Sequence, residues 1–96
     1  MLRYIRLFSS RPTIAPLLPT YSQGERIIHE KLANQLEATN LVVEDMSGGC
    51  GSMYKVSIAS PKFAGVPLLK QHRMVSEILK DEIKGMHGIQ INTKVA

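Results

Sequence analysis

One cysteine is the entire thiol content of this 96-residue chain, which also lacks tryptophan. A single cysteine excludes an internal disulfide, and the three histidines stand at none of the spacings typical of a zinc site made by one chain. No run approaches the roughly 18 consecutive apolar residues that a transmembrane helix needs. The sequence therefore predicts one small globular domain that does not span a membrane, and the scarcity of thiols favours a reducing compartment.

Acidic residues are absent before Glu25, whereas Arg3, Arg6 and Arg11 all precede it. Removing these three from the twelve basic residues leaves nine against eight acidic ones, so the remainder has a net charge of +1 instead of +4. The basic character belongs mainly to the N-terminal stretch. The whole-chain charge is therefore poor support for nucleic-acid binding.

The N-terminal stretch MLRYIRLFSSRP carries arginine and serine but no acid, and it is amphipathic, which is the composition of a mitochondrial transit peptide. The sequence from Arg6 to Ser9 resembles a matrix-protease site with cleavage after Phe8. A disordered N-terminal arm is the alternative. Three prolines then predict a linker without a helix over residues 9–21. We therefore expect a presequence and linker at residues 1–21 and a folded domain at residues 22–96.

The first half of the domain has the pattern of a helix followed by two strands. Ser22 and Glu25 have capping-box spacing, which predicts a helix start, and apolar residues follow at helical spacing. Leu41 to Asp45 is a short β-branched run, and MYKVSIAS alternates between two faces, so both segments are predicted strands. The glycine loop between them predicts an antiparallel hairpin. The apolar residues of the helix are Ile27, Ile28, Leu32 and Leu36.

The second half predicts a long helix and a last strand. Pro67 is well placed to open a helix over residues 68–86, which could also break into two shorter helices. IQINTKVA then alternates as a strand does. The expected fold is an α+β two-layer sandwich of order α-β-β-α-β, with the helices on one face of a three-stranded sheet. The apolar stripe of the long helix comprises Leu68, Val75, Ile78, Leu79, Ile83 and Met86.

Cys50 lies in the loop MSGGCGSMY among three glycines, which remove the side chains that would shield a neighbouring thiol. Free cysteines are most often small buried hydrophobes, so packing is one interpretation. A nucleophilic role needs a base nearby, for which His72 and His87 are candidates. A complete iron–sulfur site needs about four ligands, so one cysteine and one histidine supply at most half of a [2Fe–2S] shell.

The three histidines have different expected surroundings. His29 falls at a polar helix position and is predicted to face solvent. His72 lies on or beside the apolar stripe and is predicted at the edge of the core. His87 lies in a turn bracketed by glycines, where it can be an exposed neutral imidazole ligand or a turn residue without such a role. Residue spacing alone leaves open whether this turn meets the Cys50 loop.

Together, SGGCGSMYKVSI, QHRMVSEILKDEIKGMHGIQINT and the α-β-β-α-β order resemble BolA-like proteins, in particular the mitochondrial type-3 branch. The resemblance runs from about Ser22 to Val95. It implies a BolA fold, which is similar to the class II KH topology. It also implies partnership with a monothiol glutaredoxin, and a [2Fe–2S] cluster that bridges the two proteins.

The resemblance assigns ligands residue by residue. The glutaredoxin brings its active-site cysteine and a bound glutathione, while Cys50 and His87 match the loop ligand and the C-terminal histidine of the BolA-like partner. His72 and Arg73 match a His-Arg pair of the family whose role the residues do not reveal. The implied protein is a cluster-transfer factor of the mitochondrial matrix and not an enzyme, delivering clusters to acceptor or scaffold proteins toward [4Fe–4S] clients.

Two other functions compete with cluster transfer. The spacing Gly48 to Gly51 is that of the G-x-x-G loop of nucleic-acid-binding KH domains, but here it is predicted to join two strands, and the near-neutral domain disfavours nucleic acid. A BolA-type transcription regulator belongs to the same alternative. A thiol redox enzyme would lack a resolving cysteine.

Overall fold

The computed structural model describes residues 14–48 and 51–96. Within these ranges the chain folds as α+β in the predicted order, with the long second helix broken into two at Leu79. None of the helices in the described ranges is both long and apolar enough to cross a membrane. The elements are α1 (Gln23–Leu36), β1 (Asn40–Asp45), β2 (Met53–Ser60), a 3-10 turn (Pro61–Phe63), α2 (Leu68–Ile78), α3 (Lys80–Ile83) and β3 (Gly88–Val95).

The predicted capping box forms at the start of α1. The Ser22 hydroxyl accepts from the Glu25 amide at 3.3 Å, and Glu25 Oε1 accepts from the Ser22 amide at 2.7 Å. Two of the amides that a helix start leaves unpaired are therefore satisfied locally. The helix ends at Leu36, and the C-cap residue Glu37 adopts a left-handed conformation with φ of 49°.

The sheet is mixed, with β2 at its centre. β1 pairs antiparallel with β2, which confirms the predicted hairpin. β2 pairs parallel with β3 in a register that sets Met53 opposite Gly88. Parallel neighbours need a crossover connection, and the segment containing α2 and α3 supplies it. This parallel pairing, which residue spacing left open, determines the geometry of the candidate site.

The hydrophobic core lies between the helices and one face of the sheet, as predicted. Strand positions alternate between buried and more exposed along both β1 and β2. Two residues of the predicted apolar stripes depart from this pattern, since Ile27 is 42% and Leu68 is 60% exposed. The buried core comprises Ile28, Leu32, Ala33, Leu36, Ala38, Leu41, Val43, Tyr54, Val56, Ile58, Phe63, Val75 and Leu79.

Residues 14–21 have no helix, as the prolines predict, and they pack against the domain. The Ala15 amide donates to the Ala38 carbonyl at 2.8 Å, and the Ala15 and Tyr21 side chains contact the core. The segment therefore forms part of the folded unit. The predicted transit-peptide motif and its cleavage after Phe8 fall within residues 1–13, outside the described ranges.

Candidate metal centre

The parallel pairing of β2 with β3 brings the cysteine loop and the His87 turn to the same edge of the sheet. Met53, the first residue of β2, lies opposite Gly88, the first residue of β3. The residues just before them are therefore neighbours, because adjacent strands lie only about 4.8 Å apart. Cys50 is three residues before Met53 in the sequence, and His87 directly precedes Gly88.

Backbone hydrogen bonds join the two segments. The Ser52 carbonyl accepts from the His87 amide at 2.6 Å and from the Gly88 amide at 3.2 Å. Ser52 is two residues after Cys50, so the histidine turn is tied directly to the described end of the cysteine loop. The His87 side chain is exposed, and its ring contacts no hydrogen-bond partner within residues 14–48 and 51–96. The imidazole is therefore free to bind a ligand from outside this chain.

Cys50 and Gly49 themselves lie outside the described residues. The glycines on either side are described, and both adopt positive φ, 81° at Gly48 and 76° at Gly51. Residues with a Cβ rarely adopt this conformation. These two glycines are thus required by the turn geometry, in addition to removing side chains from around the thiol.

Two polar residues that sequence reasoning did not single out hold the flanks of this loop. Asp45 accepts hydrogen bonds from Ser47 and from the Gly51 amide, and the Ser47 hydroxyl accepts from the Ser52 amide at 3.3 Å. The sequence signal was present as an Asp-x-Ser segment after a strand, which is typical of a side-chain-bonded turn. Sequence reasoning did not detect this turn because it interpreted Asp45 only as the last residue of a strand.

Tyr54 packs beneath the loop and is 6% exposed. Burial raises the pKa of the Tyr54 hydroxyl, and the carboxylates of Asp45 and Glu25 raise it further. The phenol therefore stays neutral at physiological pH and adds no third negative charge beside the two carboxylates. A cleft of about 230 Å³ opens beside it, with Gly51 and Met86 in its lining.

His29 is buried, so the prediction of a solvent-facing side chain is wrong. It is 1% exposed, and both ring nitrogens have partners. Nε2 lies 3.1 Å from the Ala15 carbonyl, which can only accept, so Nε2 carries the proton. Nδ1 then accepts from the Tyr21 hydroxyl at 2.8 Å, and that hydroxyl accepts from the Val43 amide at 3.1 Å. His29 is a structural residue that fastens the N-terminal segment to α1 and β1.

Removing the Tyr21 hydroxyl tests this fastening. Tyr21→Phe leaves the His29 Nδ1 and the Val43 amide without their partner, and we expect it to lower the free energy of unfolding by about 1 kcal/mol. Chemical denaturation measures the loss, and amide exchange at Val43 should accelerate. An unchanged denaturation midpoint together with unchanged exchange at Val43 would show that the network does not stabilise the fold.

His72 and Arg73 lie on α2 and not in the histidine turn. His72 is half-buried, as the predicted core-edge position requires, and its carbonyl accepts from the Ser76 hydroxyl. Arg73 is exposed and lines a shallow apolar groove that includes Leu36 and Met74. Within the described ranges, no hydrogen bond or ion pair joins either side chain to the described part of the cysteine loop.

The donor chemistry of the site fits a shared cluster. Within residues 14–48 and 51–96, no three His, Cys, Asp or Glu side chains are grouped so that they could hold a metal ion. The described part therefore holds no complete metal site, and its candidate ligand His87 is hydrogen-bonded through its backbone to Ser52, two residues after Cys50 in the sequence. Thiolate and imidazole are both ligands of [2Fe–2S] centres, and the remaining ligands of such a cluster would have to come from another molecule.

The loop with G-x-x-G spacing joins β1 and β2, so it does not connect two helices as in a KH domain. Ion pairs also reduce the free charge of the helical layer. Lys31 pairs with Glu82 at 2.9 Å, and Lys84 lies 3.8 Å from Asp81. Neither observation favours a nucleic-acid interface.

Comparison with known proteins places the chain in a family. The sequence pattern described as BolA-like protein matches residues 28–96. BolA-like protein 3 of Saccharomyces cerevisiae is 49% identical over 70 residues, which cover 73% of this chain and 59% of that protein. BolA-like protein 3 of Homo sapiens is 41% identical over 80 residues, covering 82% of this chain and 75% of that protein. The chain belongs to the BolA-like family.

Solved structures agree with the observed fold. BolA1 from Arabidopsis thaliana is similar with a TM-score of 0.73 at 33% identity, over 78% of this chain and 94% of that one. BolA1 from Mus musculus is similar with a TM-score of 0.69 at 25% identity, over 91% of this chain and 79% of that one. The aligned region spans 59% of the length of the Saccharomyces cerevisiae relative and 62% of the length of a BolA-like protein of Schizosaccharomyces pombe.

Proposed function

We propose that this protein is an iron–sulfur cluster-transfer factor. It binds a [2Fe–2S] cluster as cargo, shared with a monothiol glutaredoxin, and helps to deliver that cluster toward the maturation of [4Fe–4S] clients. The observation that supports this best is the pair of hydrogen bonds from the His87 turn to the Ser52 carbonyl. They hold one candidate ligand beside the loop that carries the other, Cys50.

Each side chain has a distinct role in this proposal. Cys50 provides a thiolate and His87 a neutral imidazole, while the glutaredoxin cysteine and its glutathione complete the shell. The exposure of His87 supports a shared site, since an imidazole held in solvent is accessible to a cluster carried by another protein. A shell divided between two chains also favours release to an acceptor over retention.

The protein performs no catalytic reaction of its own in this proposal. Its place of action is the mitochondrial matrix, which is supported by the arginines and the absence of acidic residues before Glu25. The partners are the monothiol glutaredoxin and downstream acceptor or scaffold proteins.

A spectroscopic titration tests the proposal. The full chain is mixed with [2Fe–2S]-loaded monothiol glutaredoxin and glutathione, and visible absorption and circular dichroism are recorded. We expect the wild-type chain to change both spectra, because an imidazole enters the ligand shell. The double variant Cys50→Ala with His87→Ala should leave them unchanged, whereas Gln90→Ala, at an exposed position of β3, should behave as wild type.

Two results would contradict it. One is a wild-type mixture whose spectra equal the sum of its separate components. The other is an equal spectral change with the double variant, which would mean that the proteins associate without these two ligands.

A further inference from the structure

The described flanks of the cysteine loop converge on one carboxylate. Asp45 is the last residue of β1 and is half-buried. Its Oδ1 accepts from the Ser47 amide at 2.9 Å and from the Ser47 hydroxyl. Its Oδ2 accepts from the Gly51 amide at 3.0 Å. One side chain therefore holds both the entry and the exit of the glycine loop.

The backbone of Asp45 is itself anchored. Its amide donates to Glu25 Oε2 at 2.8 Å, and the other oxygen of that carboxylate belongs to the capping box of α1. The position of Asp45 is thus fixed from the helix layer as well as from the sheet. A carboxylate whose position is fixed by two elements can in turn hold the loop residues that donate hydrogen bonds to it.

The glycine loop needs such an anchor. Glycine loses more conformational freedom on ordering than other residues, so fixing Gly48 and Gly51 in one conformation has an entropic cost. Hydrogen bonds to an ionised acceptor are roughly twice as strong as neutral ones. The bonds to Asp45 therefore offset part of this entropic cost before any partner binds.

The anchored flank leads directly to the His87 turn. Ser52 follows Gly51, its amide donates to the Ser47 hydroxyl, and its carbonyl accepts from His87 and Gly88. A continuous hydrogen-bonded path thus runs from the Asp45 carboxylate through Ser47 and Ser52 to the histidine turn. Without the Asp45 carboxylate, the bonds that hold Ser47 and Gly51 would be lost, and the glycine loop would no longer be fixed against the His87 turn.

We propose that Asp45 is a positioning residue that holds the flanks of the glycine loop in one conformation against the His87 turn before the cluster arrives. The part of this inference that concerns ligation rests on the proposed function. Asp45 binds no cluster in this scheme, and its contribution is to set the separation between the two ligand-bearing segments in the free protein.

The test uses Asp45→Asn with Asp81→Asn as the matched control. Asparagine keeps the size of the side chain but replaces one acceptor oxygen with a donor amide, so it cannot serve both Ser47 and Gly51. Asp81 loses the same charge at an exposed position whose nearest ion pair spans 3.8 Å. Backbone amide exchange in the free proteins is the first measurement, with the core amide of Val56 as the internal reference.

In Asp45→Asn we expect exchange at Gly51 and Ser52 to accelerate about tenfold or more, with Val56 changed much less. Asp81→Asn should exchange as wild type. The second measurement is visible circular dichroism with [2Fe–2S]-loaded monothiol glutaredoxin and glutathione, where Asp45→Asn should give an altered spectrum or a shorter-lived cluster.

The outcomes separate the two proposals. Unchanged exchange at Gly51 and Ser52, or acceleration no greater than at Val56, would overturn the positioning role. So would a cluster spectrum and lifetime identical to wild type in Asp45→Asn. A wild-type chain with no spectral response would instead overturn the proposed function, and the ligation part of this inference with it.

Discussion

Replacing His87 with cysteine is expected to lower the reduction potential of the proposed [2Fe–2S] cluster, shared with glutaredoxin, by on the order of 100 mV. A thiolate carries a negative charge that stabilises the oxidised cluster, whereas a neutral imidazole does not. Centres with two imidazole ligands lie at about −150 to +300 mV, and all-thiolate plant-type centres lie near −400 mV. The expectation rests on the proposed ligand role of His87.

The structure indicates that His87→Cys can be introduced without disturbing the fold around the turn. His87 is exposed, and its backbone amide donates to the Ser52 carbonyl, so a cysteine can adopt the same turn. The potential is measured by redox titration of the complex with glutaredoxin, followed by visible circular dichroism. The reciprocal variant Cys50→His should raise it.

A thiol placed nearby provides the control. Gln90→Cys adds a cysteine at an exposed position of β3 and should leave the potential at the wild-type value. A His87→Cys complex with the wild-type potential would show that this residue is not a ligand of the cluster.

Replacing Gly24 with alanine is expected to lower the free energy of unfolding by about 2 kcal/mol, even though alanine is the better helix former by up to about 1 kcal/mol. A Cβ at Gly24 would overlap the Tyr54 hydroxyl and lie 3.3 Å from Tyr54 Cζ. The Tyr54 ring is buried in the core and rigid, so it cannot move aside without disturbing its neighbours.

A double-mutant cycle isolates this close approach. Denaturation is measured for Gly24→Ala, Tyr54→Phe and the two combined, since phenylalanine lacks the overlapped oxygen. We expect the alanine to cost much less in the phenylalanine background. Gly85→Ala is the matched control, because a Cβ there meets its nearest atom at 3.9 Å, and it should be neutral or slightly stabilising. An equal cost of Gly24→Ala in both backgrounds would contradict the proposed overlap.

Most of the secondary structure could be predicted because its causes are local. The capping box of Ser22 and Glu25 lies within one helical turn, and it forms as predicted. The alternation of Tyr54, Val56 and Ile58 marks a half-buried strand wherever that strand lies. Such signals depend only on spacing along the chain, so they can be recognised without knowing which other elements pack against the segment.

The errors arose where burial depends on distant residues. His29 has a polar position in the helix pattern, but Ala15 and Tyr21 cover it from a segment that was predicted to be a linker. Leu68 has the spacing of a core residue, but it is the first residue of α2 and points away from the core at 60% exposure. The spacing of apolar residues describes a single helix or strand, and it carries no information about which other segments cover that element.

The candidate site shows the same division. The sequence by itself determined the two candidate ligands, one cysteine among glycines and one histidine in a turn, because the chemistry of a side chain and the identity of its neighbours can be read directly from the sequence. Only the tertiary structure decided that the turn meets the loop, through the parallel register of Met53 with Gly88 and the bonds to the Ser52 carbonyl. The physical reason is that these bonds join segments 35 positions apart, a pairing set by the crossover through α2 and α3.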